Sequence, residues 1–232
     1  MRTLRIREVV AATPRARIVR LDLDAAPFEY VAGQAVLVGT GDAEKRRPYS
    51  LAAAPEDARE SNAIELLVGV DADGRAGPHL PLEPGLDVQV EGPFGAFTFP
   101  ELVDGCRAIF VAGGTGIAPL RAMMRHALFG PPALQTVGLV YSARTPEEFA
   151  YEDEFRDLAA RGIIELRQTV TRAAQSGWAG ARGRIDRAAL ADLVHGADTL
   201  CFVCGPAAMV DDIPKLLTDL GVEREKIRIE EW

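Results

Sequence analysis

The chain has 232 residues, 48% of them hydrophobic, enough for one large domain or for two that each bury a core. A formal net charge of -8 and a pI near 5.0 exclude a general nucleic-acid binder, which would carry a basic face or stripe. Three cysteines, no run of eighteen apolar residues and no apolar stretch for a signal peptide in Met1 to Arg7 point to a cytoplasmic protein without a disulfide framework or a membrane span.

In chain order, residues 1–100 read as short strands with period-two alternation: Leu4 to Val10, Ala16 to Leu23, Ala35 to Gly39, Ile64 to Val70 and Asp87 to Glu91. Turn signals fill the gaps, as at Ala32-Gly33-Gln34, Asp71-Ala72-Asp73-Gly74 and Glu83-Pro84-Gly85, and no helical stripe is predicted among them. That pattern predicts a small antiparallel β-barrel. After Phe99-Pro100 the texture changes. Apolar strands are predicted at Cys106 to Ala112, Thr136 to Ser142, Ile163 to Val170, Thr199 to Cys204 and Ile227 to Glu230, with helical spacing between them. Residues 101–232 are therefore expected to form a Rossmann-like α/β domain with a parallel sheet, the boundary falling near Pro100 to Asp104. Pro146 opens a helix that Gly162 closes, Asp186 caps one that stops near Gly196, Pro206 sits in a first turn, and Gly221 follows the last helix. Pro214 is expected to kink or interrupt that last helix.

Two segments carry chemistry. Arg47-Pro48-Tyr49-Ser50 sets a fork-shaped cation suited to phosphate, a ring suited to stacking on a flat heterocycle, and a hydroxyl within four residues. In an extended strand Arg47 and Tyr49 share one face and Ser50 turns to the other. Taken alone, the tetrapeptide also fits an ordinary edge strand. Gly113-Gly114-Thr115-Gly116 follows a strand and opens a helix, where backbone amides and the helix dipole can meet a pyrophosphate. Its spacing departs from G-x-G-x-x-G, and a tight turn without a ligand is the alternative.

With Gly92-Pro93-Phe94-Gly95-Ala96-Phe97, Cys204-Gly205-Pro206, Ala208-Met209 and the terminal Glu230-Glu231-Trp232, these segments make the chain resemble the ferredoxin-NADP reductase superfamily over nearly its whole length. The resemblance implies a flavin-binding barrel (FAD, with FMN as the alternative) followed by an NAD(P)H-binding domain, the flavoprotein lacking an iron-sulfur domain. It implies that Arg47 pairs with the flavin diphosphate, Tyr49 packs on the ring system or its ribityl chain, and Ser50 hydrogen-bonds near N5, beside Pro48. Leu67 and Val68 would line the adenosine side, and the loop Gly74-Arg75-Ala76-Gly77-Pro78-His79-Leu80 would meet the diphosphate. Here the chain departs from its kin: Ser or Thr is usual where Gly77 stands, and Lys or Arg is common where Gly69 stands. Thr115 and Cys204, with Gly205 and Pro206, would sit at the nicotinamide. Trp232 would cover the flavin, and Glu230 would orient it or relay a proton. Ser50, Cys204, Glu230 and Trp232 are thus the candidate catalytic residues.

Arg144 and Arg172, after the second and third strands of the parallel sheet, could meet a 2′-phosphate, giving a slight lean to NADPH over NADH; both are also plausible surface residues. Cys201 and Cys204 are three apart within a strand and face opposite ways, which disfavours a metal or redox dithiol; Cys106 reads as core. His79, His126 and His195 are too scattered to form a cluster. The expected activity is electron flow from NAD(P)H through FAD to a separate ferredoxin- or flavodoxin-type acceptor or to a multicomponent oxygenase, with Arg2, Arg5, Arg7, Arg15, Arg17 and Arg20 as a docking face. Two alternatives are a free flavin reductase and an electron-transfer subunit of a larger complex.

Overall fold

The structure, a computed structural model, describes residues 1–23, 28–41, 46–100, 107–129, 136–172 and 177–232. Cys106 and most of the expected boundary, 101–104, lie outside the described residues. The N-terminal part contains β1 (Arg2–Thr13), β2 (Ala16–Asp22), β3 (Ala35–Gly39), β4 (Arg47–Ser50), α1 (Pro55–Ser61), β5 (Ala63–Gly69) and β6 (Asp87–Phe94). Its strands form one antiparallel sheet in the order β4-β3-β6-β1-β2-β5. A bridge from Leu51 to Leu66 brings its two edges together. Alternation sorts the side chains: Leu4, Ile6, Val19, Leu21, Val36, Val38, Val88 and Val90 fill the barrel, while Arg5 and Arg7 point to solvent.

The sequence predicts no helix among these strands, and α1 corrects that. Two turns are too short to show a 3.6-residue stripe. The helix is set instead by Pro55 in its first turn and by Asp57, whose carboxylate accepts from the Ala54 amide at 3.0 Å.

The second part contains β7 (Arg107–Gly113), α2 (Ile117–Phe129), β8 (Thr136–Ala143), α3 (Glu152–Ala160), β9 (Glu165–Val170), β10 (Ala181–Arg182), α4 (Arg187–Ala191), β11 (Leu200–Gly205), α5 (Ala207–Asp219) and β12 (Ile227–Glu231). Its sheet is parallel in the order β10-β9-β8-β7-β11-β12. The order reverses at β7, so the crevice between the carboxyl ends of β7 and β11 is where ligands of such sheets bind. Three helix expectations are corrected. Pro146 opens only a short 3-10 turn, and the chain breaks at Tyr151 before α3 begins. Asp186 does cap α4, accepting from the Ala189 amide, but α4 ends at Ala191. The helix α5 runs unbroken through Pro214, held to the sheet by buried Val210, Ile213 and Leu217. That packing outweighs an interior proline's cost of about 3 kcal/mol. Cys201 and Cys204 face opposite sides of β11, in separate apolar clusters.

The two parts meet through aromatic rings. Phe99, at the end of the barrel segment, lies 5.3 Å from Phe202, and Phe110 stacks on Phe202 at 5.2 Å between centroids. Arg228 of β12 donates to the Thr98 carbonyl at 2.6 Å.

Candidate functional site

A cleft of about 640 Å³ runs between the two parts. The barrel contributes Arg15, Leu67, Gly69, Arg75, Ala76 and Gly77, and the parallel sheet contributes Gly113, Gly114, Thr115, Arg144, Pro206 and Trp232. About half of the cofactor-binding residues expected from the sequence therefore line one space, with Arg15 and Gly69 beside them.

The turn from Gly113 to Gly116 is built by close packing. A Cβ at Gly116 would sit 2.4 Å from the Cys204 carbonyl oxygen, so only glycine lets the turn lie against β11. The buried Tyr141 hydroxyl donates to the Gly114 carbonyl at 3.0 Å and accepts from the Ala150 amide at 3.2 Å. Trp232 is anchored on the same turn: its indole N–H donates to the Gly113 carbonyl at 3.1 Å, and its amide to Gly205 at 3.4 Å. The ring remains 58% exposed, a cover resting on the glycines.

Cys204 is buried behind that turn, its Sγ 4.0 Å from Glu230 Oε2. Burial, and then the neighbouring Glu230, push the thiol far above its ordinary value, so it is a neutral donor and not a thiolate. Burial likewise raises the Glu230 carboxyl.

On the barrel side, β4 presents Arg47, Pro48, Tyr49 and Ser50 outside the cleft lining. Tyr49 is tied to the glycine loop: its hydroxyl lies 2.6 Å from His79 Nε2 and the rings are nearly parallel. Burial, opposed by Arg47, pushes the Tyr49 phenol up to about 12. Burial and then Arg47 lower His79, so the imidazole is neutral and shares one hydrogen bond with the phenol. Gly77 has φ +105°, a conformation that a Ser or Thr would adopt only under strain, so the departure there is a requirement of this turn. At Gly69 open space surrounds the missing side chain, and Arg15 and Arg75 bring cations to the same cleft.

Other residues fall elsewhere. Val68 is wholly buried in the barrel core, facing away from Leu67, so its side chain does not reach the cleft. Arg172 lies outside the lining and meets Arg144 through the backbone, its amide donating to the Arg144 carbonyl at 2.7 Å. Sequence reasoning placed His79 only within the loop expected at the diphosphate, and did not single out its link to Tyr49, Tyr141 or a cleft position for Arg15; only a fold places them. Among the described residues no three His, Cys, Asp or Glu side chains group as a metal site, and no helix is long and apolar enough to cross a membrane.

Residues 3–99 match the model of an oxidoreductase FAD-binding domain and residues 110–215 that of an oxidoreductase NAD-binding domain. The chain is 32% identical over 221 residues, 90% of its length and 88% of the relative's, to Ferredoxin--NADP reductase B of Sorangium cellulosum.

The chain belongs to the ferredoxin-NADP reductase superfamily.

It is also 28% identical over 171 residues to Cytochrome b5 reductase 4 of Danio rerio, a match that takes in 72% of this chain and 32% of that protein. Among solved structures it is similar to an Amycolatopsis cytochrome P450 reductase, with a TM-score of 0.82, 28% identity, and coverage of 99% of this chain and 69% of the other. This member of the superfamily is an NAD(P)H-dependent flavoprotein oxidoreductase that uses FAD. The two-walled cleft suits that pair of cofactors: glycine turns bare of side chains on both sides, with arginines at its rim.

Proposed function

We propose that this reductase delivers electrons from NAD(P)H to a separate ferredoxin- or flavodoxin-type protein, or to an oxygenase component. When bound, FAD supplies the chemistry, taking a hydride from the nicotinamide and releasing its electrons onward. The protein's own part is orientation and exclusion of water. Arg47 and the 74–80 loop hold the diphosphate, with His79 linking that loop to Tyr49, whose ring forms the wall against the flavin. Ser50 offers a hydroxyl at the flavin edge. Gly113 to Gly116, Gly205 and Pro206 receive the dinucleotide, and Thr115 lies at its nicotinamide end. Trp232 occupies that turn and swings aside when the pyridine enters. Cys204, neutral and beside Glu230, supplies packing and a weak donor without attacking the substrate.

The observation that carries the reading is the single cleft walled by the glycine turns of both parts. A protein acceptor is supported by the relative of matching length, which is named a ferredoxin--NADP reductase, and an oxygenase by the cytochrome P450 reductase neighbour. Of the arginines of β1 and β2 expected as a docking face, Arg5 pairs with Asp87, Arg7 with Asp22, and Arg20 with Glu8 and Glu65, which offsets part of their positive charge. Free flavin reduction is the second reading, favoured by the open space at Gly69, where a Lys or Arg side chain would otherwise help to retain the cofactor.

A panel of acceptors separates them. NADPH- or NADH-driven reduction of cytochrome c is expected to rise at least tenfold when ferredoxin or flavodoxin is added. Turnover that rises instead only with free FMN or riboflavin would assign the protein to the second reading.

A further inference from the structure

An ionic cluster that the reaction does not touch joins the two halves. Arg121, on α2 just beyond the glycine turn, donates through Nη1 to the Ala52 carbonyl at 2.7 Å and to Glu65 Oε1 at 2.9 Å, and through Nε to Glu154 Oε2 at 2.6 Å. Its guanidinium lies 4.2 Å from the centre of the Tyr151 ring, and its side chain is only 11% exposed. Glu65 is buried and fully engaged, accepting also from Arg20 Nε at 2.8 Å and from the Tyr151 hydroxyl at 3.1 Å. One turn along α2, Arg125 grips both oxygens of Asp57 at 2.6 and 2.7 Å and the other oxygen of Glu154 at 2.7 Å.

The placement of these partners matters. Ala52 follows Ser50 of the flavin platform by two residues, and Glu65 precedes Leu67 of the cleft wall by two. Arg121 thus reaches from the helix behind the nicotinamide turn to the backbone behind the flavin platform. A second observation marks the same spot. Tyr151 has φ +59°, a left-handed conformation unfavourable for a bulky side chain, and its ring and hydroxyl are clasped by Arg121 and Glu65. Such conformations persist where surroundings over-determine them, and they gather at functional places.

Adhesion between the halves needs no such device, because the Phe99, Phe110 and Phe202 rings already supply buried apolar contact, which has no preferred direction. A planar guanidinium fork with three fixed partners adds direction.

We infer that Arg121 is a positioning residue for hydride transfer, fixing the separation and tilt of the flavin and pyridine sites; the inference rests on the reductase reading above. A misplacement of about 1 Å can cost about a hundredfold in rate.

The test compares Arg121→Lys, which keeps the charge and loses the fork, Arg121→Met, and the paired Arg121→Met/Glu65→Gln, which leaves Glu65 without an unmatched buried charge. Rapid mixing with saturating NAD(P)H under anaerobic conditions reads the flavin-bleaching rate and the long-wavelength charge-transfer band. Fluorescence titration reads flavin affinity, and hydrogen exchange reads the flavin-free protein. Bleaching is expected to slow at least fivefold in all three variants and the charge-transfer band to weaken. Affinities for flavin and nucleotide should stay within about twofold, and exchange should quicken both near residue 52 and in the 113–117 turn.

A lysine variant that bleaches at the wild-type rate, a loss of flavin affinity by the same factor as the rate, or unchanged exchange would overturn the inference. A wild-type protein that does not bleach with either nucleotide would instead remove the reductase reading, and the inference with it.

Discussion

Glu230 shows how one half-buried carboxyl colours the site. Burial raises it above its ordinary 4.5, so the folded protein holds this proton to a higher pH than the unfolded chain does. Stability from this group is full below pH 4.5 and is lost as pH rises through the folded value. The substitution Glu230→Gln is therefore expected to raise the thermal midpoint relative to wild type at pH 8 and to change it little at pH 4. An equal difference at both pH values would show that the carboxyl is not desolvated as described. At this scale the sequence was informative wherever backbone demands a residue type. Gly116 could be read as a demanded glycine, because a side chain there would meet the Cys204 carbonyl. Tyr49 could be read as a ring, but its link to His79 spans thirty residues and could not.

Among the elements, the strands were legible because alternation is local: β3 has the bounds expected of it, and the five strands β7, β8, β9, β11 and β12 fall within a residue or two. The failures are elements whose fate is decided by tertiary contact. The short α1 is capped by Asp57, which also meets Arg125 of α2 across the domain junction. The proline in α5 is tolerated because one face of the helix is buried on the sheet. Replacing Pro214 with Ala would restore an amide to the helix ladder, offset in part by a freer unfolded chain. It is expected to stabilise the protein by about 2 kcal/mol, read as a higher midpoint in urea. An unchanged or lower midpoint would mean that the backbone around Val210 is shaped to the proline.

Taken as a whole molecule, the protein sets an FAD-binding half and an NAD-binding half on either side of one cleft. The order of its motifs was enough to name the halves, because the Arg47–Ser50 segment and the turn from Gly113 to Gly116 each carry their own residue pattern. What joins them was invisible: Arg121, Arg125, Asp57, Glu65 and Glu154 are ordinary surface types, separated by 29 to 68 residues along the chain for the pairs they form. Only the fold turns them into a junction. The Cys204→Ala substitution belongs to this scale, since it removes packing between the glycine turn and β12; it should slow flavin reduction more than it weakens nucleotide binding.

The most direct measurement is an anaerobic titration of the FAD-loaded protein with NADH and with NADPH, followed by flavin absorbance. The account predicts stoichiometric FAD and complete bleaching by about one equivalent of at least one nucleotide. Protein that refuses FAD, or whose bound FAD keeps its colour with excess of both nucleotides, would contradict it.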